Sequence, residues 1–249
     1  MPSIPVLRSR TALSLYTACL LWSGCADDPS GPALGPGQDP AAETEVHLRG
    51  QDDVASLAQR RPTPFTVLGD LIVEGDDVAS LEGLENLTEV DGVLAMCRCP
   101  ALRSLPGLQG LRRVGLGLCI QDNAALSTLE GLEALEEVGL DVTVQGNPAL
   151  TDLQGLRGLR RTGGPLTVEE NPRLTQMAGL GAVTSLGGLR IQDNPLLMDI
   201  EALGGLDTLG GNLLVLDNPL LPTAQARSLE ERLRRWGYRG ATQISGNLP

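Results

Sequence analysis

Few residues in this chain are of a type that catalysis requires, and they are widely separated. His47 is the single histidine, and no motif of acids or nucleophiles surrounds it. A histidine-activated thiol needs both groups within hydrogen-bond reach, yet Cys97, Cys99 and Cys119 lie far along the chain from His47. The sequence therefore predicts a protein that is not an enzyme and that uses no cofactor. A hydrolase built on His47 is the least favoured alternative.

A group of acids near the start of the folded region offers the other possible chemistry. Carboxylate oxygens are the ligands that calcium prefers, but the spacing of these acids is not that of a calcium-binding loop. We interpret them as solvated edge residues and predict no metal site, with a calcium site as the alternative. The residues concerned are Asp52, Asp53, Glu74, Asp76 and Asp77.

The charge balance bears on possible partners. The chain has 31 acidic and 19 basic residues, a formal net charge of −12. Because affinity for nucleic acid comes chiefly from cationic contacts to phosphate, this balance excludes a nucleic-acid partner. Aromatic residues make up only 2% of the chain, so a core must be built from Leu, Val and Ile.

The first 24 residues have the layout of an export signal. Arg8 and Arg10 precede an apolar stretch of about twelve residues, which is too short to span a bilayer. The order Leu-Trp-Ser-Gly-Cys that ends at Cys25 resembles a bacterial lipobox, although Trp22 stands where that motif usually has Leu. The resemblance implies that Cys25 is lipidated and anchors the protein to a membrane. Ordinary cleavage after Ala26 is the alternative.

Residues 25–44 are rich in Pro, Gly, Ala and Asp, with few large apolar side chains. Such a composition buries too little surface to fold, so we expect a disordered tether.

One repeat dominates residues 45–249. Asparagine, or a residue in its place, recurs every 23 or 24 residues and follows an alternating apolar pair such as Val142 and Val144, which is typical of a short strand with one buried face. A coil of this length cannot bury its own apolar side, whereas stacked coils share one core. We predict that the recurring residues form a ladder of turn-stabilising side chains inside the stack. They are Asp76, Cys99, Asn123, Asn147, Asn171, Asn194, Asn218 and, after a longer interval, Asn247.

The unit Gly-x-Leu-x-Val-x-x-Asn-Pro-x-Leu, which begins at Gly164, resembles the leucine-rich repeat superfamily. The Leu three rather than two residues after Asn, as in Asn171 and Leu174, makes it more similar to the receptor L-domain repeats of bacterial secreted proteins. The resemblance implies a right-handed solenoid of about 24 residues per coil, with short parallel strands in one sheet. Helical spacing within 223–236 predicts a capping helix at the C-terminal end. We expect Trp236 and Tyr238 to pack on this cap, with a ligand site at these two residues as the alternative.

The alternation also places Cys97 and Cys119 on the outer face of neighbouring strands, offset by two residues. That offset separates their α-carbons by about 8 Å, beyond the limit of about 7 Å for an unstrained disulfide. We therefore predict no disulfide between them.

The outward residues of the strands form the surface on which a solenoid usually binds a partner. This surface is polar and lacks the aromatic residues on which sugars and protein hot spots depend. We expect a lipid-anchored scaffold in the cell envelope that binds an unknown protein. The alternatives are binding of carbohydrate or another surface ligand, and a solvated sheet that binds no partner. The candidate binding residues are Gln121, Thr143, Gln145, Thr167, Glu169, Arg190 and Gln192.

Overall fold

A computed structural model of the chain describes the backbone of residues 42–249 and the side chains from residue 45 onward. The predicted signal, 1–24, and residues 25–41 of the predicted tether lie outside the described residues. Residues 42–44 were assigned to the tether, but they begin strand β1, Ala42–Leu48, which pairs in parallel with the next strand. The repeat region therefore starts at least three residues earlier than the composition suggested.

Parallel strands recur once per coil and form what we call the main ladder. Their register does not slip from one coil to the next: Leu118 lies opposite Val142, which lies opposite Leu166. This confirms the predicted parallel-strand solenoid with about 24 residues per coil. The strands are β2 (Phe65–Val73), β4 (Leu94–Cys97), β6 (Leu118–Gln121), β8 (Val142–Gln145), β10 (Pro165–Glu169), β12 (Gly188–Gln192), β14 (Leu213–Leu216) and β15 (Thr242–Ser245).

A second ladder of shorter strands, which the sequence analysis did not foresee, runs beside the first. The long strand β2 belongs to both ladders, because its first residues pair with β3 and its last residues pair with β4. All 15 strands thus form one continuous hydrogen-bonded sheet. The second ladder consists of β3 (Leu87–Val90), β5 (Arg113–Val114), β7 (Glu137–Val138), β9 (Arg161–Thr162), β11 (Ser185–Leu186) and β13 (Thr208–Leu209).

A column of glycines forms the corner between the two ladders. A Cβ atom on Gly139 would lie 1.9 Å from the carbonyl oxygen of Gly115 in the preceding coil, so no other residue fits without moving the backbone. Close stacking of the corners therefore requires glycine in successive coils. The column is Gly115, Gly139, Gly163, Gly187 and Gly211.

The outward residues of the second ladder alternate in charge from coil to coil. Glu89, Arg113, Glu137 and Arg161 lie opposite one another in turn. Arg113 pairs with Glu89, and Arg161 Nη2 lies 2.7 Å from Glu137 Oε2. Like charges thus avoid facing each other across strands that pack closely.

The core is one continuous cluster that follows the axis of the stack. Leu126, Leu150, Leu174, Leu197 and Leu221, the first predicted apolar column, have no exposed surface. The column that runs from Leu105 through Leu129, Leu153 and Met177 to Ile200 is also buried. Every coil contributes apolar residues at the same positions. The apolar side of one coil, which would otherwise be exposed, is therefore covered by the neighbouring coil.

A helix covers each end of this core. At the C-terminal end, α2 (Thr223–Arg235) buries Ala226, Leu229 and Leu233, as the helical spacing predicted. Tyr238 is also buried, but Trp236 is 70% exposed. Helix α2 ends before Trp236, whose backbone forms the C-cap, so the expectation that Trp236 packs on the cap is wrong.

The helix at the N-terminal end, α1 (Gln51–Arg60), contains a sequence that occurs twice in the chain. Asp-Val-Ala-Ser-Leu is helical at 53–57 and forms an irregular turn at 77–81. The first copy buries Val54 and Leu57, and the second buries Val78 and Leu81. A spacing of three residues between the apolar side chains allows both to be buried in a helix or in an irregular turn. The residues that surround the segment therefore decide its conformation.

Shortening one core residue should destabilise the stack measurably. We expect Leu132→Ala to lower the free energy of unfolding by about 3 kcal/mol, because Leu132 is completely buried and the cavity cannot fully collapse. Leu140→Ala in the same coil is the matched control, since Leu140 is 48% exposed, and should cost less than about 0.5 kcal/mol. Urea unfolding followed by circular dichroism measures both; equal losses would contradict the assigned core.

Candidate functional site

The predicted asparagine ladder is a set of side chains that link each coil to the one before it. Asn147 Oδ1 accepts hydrogen bonds from the backbone N–H and the side-chain amide of Asn123, both at 3.2 Å. Its Nδ2 donates to the carbonyl oxygens of Ile120, at 3.0 Å, and Gln145, at 2.9 Å. The arrangement recurs at the later coils and ends at Asn247, whose amide donates to Val215 O at 2.8 Å.

Five of these asparagines, Asn123, Asn147, Asn171, Asn194 and Asn218, are completely buried. Their side chains satisfy backbone groups of a turn that would otherwise be unpaired in the core, at about 1–3 kcal/mol for each lost partner. The residue before each ladder position has a positive φ between 53° and 69°, so the chain turns through the left-handed region once per coil. These residues are Arg98, Asp122, Gly146, Glu170, Asp193, Asp217 and Gly246.

The ladder is modified in the first coils. Cys99 fills the asparagine position as predicted: its backbone N–H donates to Asn123 Oδ1 at 3.0 Å, and its thiol donates to Val73 O at 3.5 Å. The prediction that Asp76 occupies the preceding position is wrong, because its side chain is exposed. The turn between the buried residues Val73 and Val78 is one residue shorter than the corresponding turn between Met96 and Leu102, which moves Asp76 out of the ladder position.

The seven predicted binding residues lie together on the outer side of the main ladder, which we call the outer sheet face. One column runs Thr143, Thr167 and Arg190 on adjacent strands. A second column consists of Gln121, Gln145, Glu169 and Gln192, again on adjacent strands. Toward the C-terminal end of both columns, the half-buried Leu214 and Leu216 replace the polar residues, and Gln243 and Ser245 of β15 follow them.

Two residues at the centre of this face are more buried than outward residues usually are. Glu169 is 6% exposed and forms an ion pair with Arg190, which also contacts Gln192. Gln145 is 7% exposed, and its Oε1 has no hydrogen-bond partner among the described residues. A buried acceptor without a donor is energetically costly, so a donor from a bound partner would relieve that cost once the Gln145 side chain turns outward.

The edge of this face is acidic. Four of the left-handed residues, Asp122, Glu170, Asp193 and Asp217, are exposed where the strands of the main ladder end. Three successive coils, those of Glu170, Asp193 and Asp217, therefore place negative charges in one row, and Asp122 adds another two coils before Glu170. This row favours a partner with positive charge over an anionic one.

Trp236 lies beside a groove of about 430 Å³ at the C-terminal end of the second ladder. One wall consists of 207–210, which includes strand β13, and the other consists of 236–240. The sequence pattern favours packing on the cap over a ligand site for Trp236, because this residue continues the helical spacing of α2, and it does not indicate the groove.

Several candidate residues for catalysis and for calcium binding form hydrogen bonds and ion pairs with other residues of the protein. His47 Nε2 lies 2.8 Å from Glu45 Oε1 on the outward side of β1. Asp53 accepts the backbone N–H of Arg49, while Glu74 lies within 4.0 Å of both Arg49 and Arg98. Within 45–249, no three His, Cys, Asp or Glu side chains are grouped closely enough to hold a metal ion.

Comparison with known proteins gives no family for this chain: no protein-family model matches it, and no curated protein matches its sequence significantly. The likeness to leucine-rich repeats therefore depends on the repeat pattern quoted above. In the part of the chain that the structure describes, no helix is both long and apolar enough to cross a bilayer.

Removing one member of the ladder should be costly. Asn147→Leu removes the acceptor of the Asn123 N–H and a donor to the carbonyl oxygens of Ile120 and Gln145, of which Gln145 O keeps the N–H of Asp122. We expect the free energy of unfolding to fall by about 3 kcal/mol. Asn212→Leu, at an exposed position, should cost less than about 0.5 kcal/mol. Urea unfolding compares them, and similar losses would show that the ladder contributes little.

Alkaline pH should weaken the fold through Cys99. Burial, reinforced by the negative charge of Glu74, raises the pKa of this thiol from 9.0 to about 12. Above pH 9 the unfolded chain releases a proton that the folded chain keeps, so the free energy of unfolding falls toward pH 12, by up to about 1.4 kcal/mol per pH unit. Cys99→Ser removes this contribution. Urea unfolding of both proteins between about pH 8 and pH 11 measures the difference, and parallel pH profiles would contradict the mechanism.

Proposed function

We propose that this protein is a non-enzymatic scaffold of the leucine-rich repeat type, most similar to receptor L-domain repeats, that binds a protein partner on its outer sheet face. The observation that carries the proposal is the position of Gln145, a buried acceptor without a donor at the centre of a polar surface. The stacked coils hold this surface rigidly, so little conformational entropy is lost when a partner binds.

The charges and side chains around Gln145 suggest the chemistry of that partner. The acidic row at the strand ends attracts positive charge, and Leu214 and Leu216 offer apolar contact near one end of the face. We therefore propose a partner that presents lysine or arginine together with apolar side chains. Attraction between exposed charges is screened by salt, so binding should weaken as ionic strength rises.

Blocking the outer sheet face tests this proposal directly. The double variant Thr143→Arg and Thr167→Arg adds two bulky cations at the centre of the face. We expect it to lose the neighbours that proximity labelling of native cells detects with the unaltered protein.

The matched control is Thr151→Arg with Thr184→Arg, which makes the same chemical change at exposed positions outside the main ladder and outside the groove beside Trp236. It should keep the neighbours. If both double variants keep them, or if the unaltered protein has no reproducible neighbour, the proposed surface is wrong.

We further propose that Cys25, which lies outside the described residues, carries a lipid that tethers the solenoid to a membrane of the cell envelope. Support comes from the small residues and cysteine after the apolar stretch. Cys25→Ala should move the protein from the membrane fraction to the soluble fraction, whereas Cys19→Ala, inside the apolar stretch, should not. Unchanged membrane association of Cys25→Ala would contradict lipidation.

Carbohydrate binding is a second candidate, and the exposed indole of Trp236 favours it. An aromatic ring beside polar groups is a common platform for a sugar, and Asp207 and Thr208 line the same groove. A glycan array that detects binding to the unaltered protein and none to Trp236→Ala would support this function. Binding that survives Trp236→Ala would exclude the groove as its site.

A further inference from the structure

Cys97 and Cys119 form a pair on the outer sheet face whose geometry is informative. Their Sγ atoms lie 3.8 Å apart. The predicted offset is present, because Cys119 lies opposite Ala95 while Cys97 lies opposite Gln121. The two side chains therefore lean toward each other diagonally across neighbouring strands.

This spacing is unsuitable for a disulfide. Bonded sulfurs are about 2.05 Å apart, and the diagonal offset places the α-carbons about 8 Å apart, beyond the reach of an unstrained bridge. Forming the bond would require the two strands to slide relative to each other. The main ladder opposes that movement, because its hydrogen bonds and the asparagine ladder fix the register of both strands.

The same spacing suits two thiolates that bind one metal ion. In a tetrahedral site with metal–sulfur bonds of about 2.3 Å, two sulfurs are about 3.8 Å apart. We propose that Cys97 and Cys119 bind a thiophilic metal ion of the zinc or copper(I) class, which prefers soft sulfur ligands. Two sulfurs leave coordination positions for solvent or for a further oxygen.

The surroundings of the pair fit this assignment. Cys97 is only half-buried, so an ion can approach from the outer face, whereas Cys119 is 1% exposed and is held in place by its neighbours. The side-chain oxygen of Gln121 lies 3.8 Å from Cys119 Sγ, close enough to move into coordination. Cys99, by contrast, points into the core and donates its thiol hydrogen to Val73 O.

Binding of a divalent ion converts two thiols into two metal-bound thiolates and releases two protons to solvent, with no oxidation or reduction. Cadmium is a suitable probe, because its thiolate complexes absorb in the ultraviolet in proportion to the number of bound sulfurs. The full-length chain with Cys19→Ser and Cys25→Ser keeps only the three cysteines of the repeat region, which simplifies the titration.

In this background we expect one cadmium ion to bind per chain, with the absorbance of two thiolates and the release of two protons. Adding Cys97→Ser or Cys119→Ser should weaken binding at least tenfold and halve the absorbance. Adding Cys99→Ser is the matched control and should leave the cadmium affinity and the absorbance unchanged. Urea unfolding checks that each variant is folded.

Three results would overturn the proposal. The first is cadmium binding that persists when either Cys97 or Cys119 is replaced. The second is the absence of stoichiometric binding to the folded background protein. The third is ready formation of a Cys97–Cys119 disulfide on treatment with a small-molecule disulfide, detected as a peptide pair two hydrogens lighter, because the sulfurs would then be free to approach within bonding distance.

Discussion

The fold depends on satisfying a polar turn that every coil brings into the core. Each coil turns through a left-handed residue directly after its main-ladder strand, which leaves backbone groups facing inward. A buried asparagine is able to accept and donate at once, so one side chain per coil satisfies groups on two coils. Apolar packing provides most of the stabilisation, but it stacks the coils in register only because these turns are satisfied.

The same constraint shapes the surface. Because the ladder and the glycine corner fix the spacing between coils, outward residues stand in straight columns across neighbouring strands. Small and medium polar side chains in such columns cover one another, and for this reason Gln145 and Glu169 are nearly buried although they point away from the core. A partner would therefore meet a preorganised array rather than mobile side chains.

Much of the scaffold was predictable because repetition multiplies weak signals. The strand columns, the ladder from Cys99 to Asn247 and the helix near 223–236 were all evident in the spacing. The second ladder was missed because its strands are only two to four residues long, and a pattern such as Glu89, Arg113 and Glu137 becomes visible only when the coils are aligned.

The errors concern residues whose role depends on their neighbours. Asp76 has the expected residue type and spacing, but its turn is one residue shorter than the turns of the later coils, which moves it out of the ladder position. Trp236 continues a helical pattern past the point where the helix ends. Neither a shorter turn nor a helix end changes the apolar pattern, and therefore sequence periodicity is insensitive to both.

The ladder also has a direction. The backbone N–H of each turn donates to the asparagine of the following coil, never of the preceding one, from Cys99 to Asn218. During synthesis, a coil that has left the ribosome therefore cannot complete its turn until about 24 more residues have emerged. The coil before α2 waits longest, because Asn247 follows Asn218 by 29 residues. Loss of Asn247 would leave the buried turn at Asn218 unfinished.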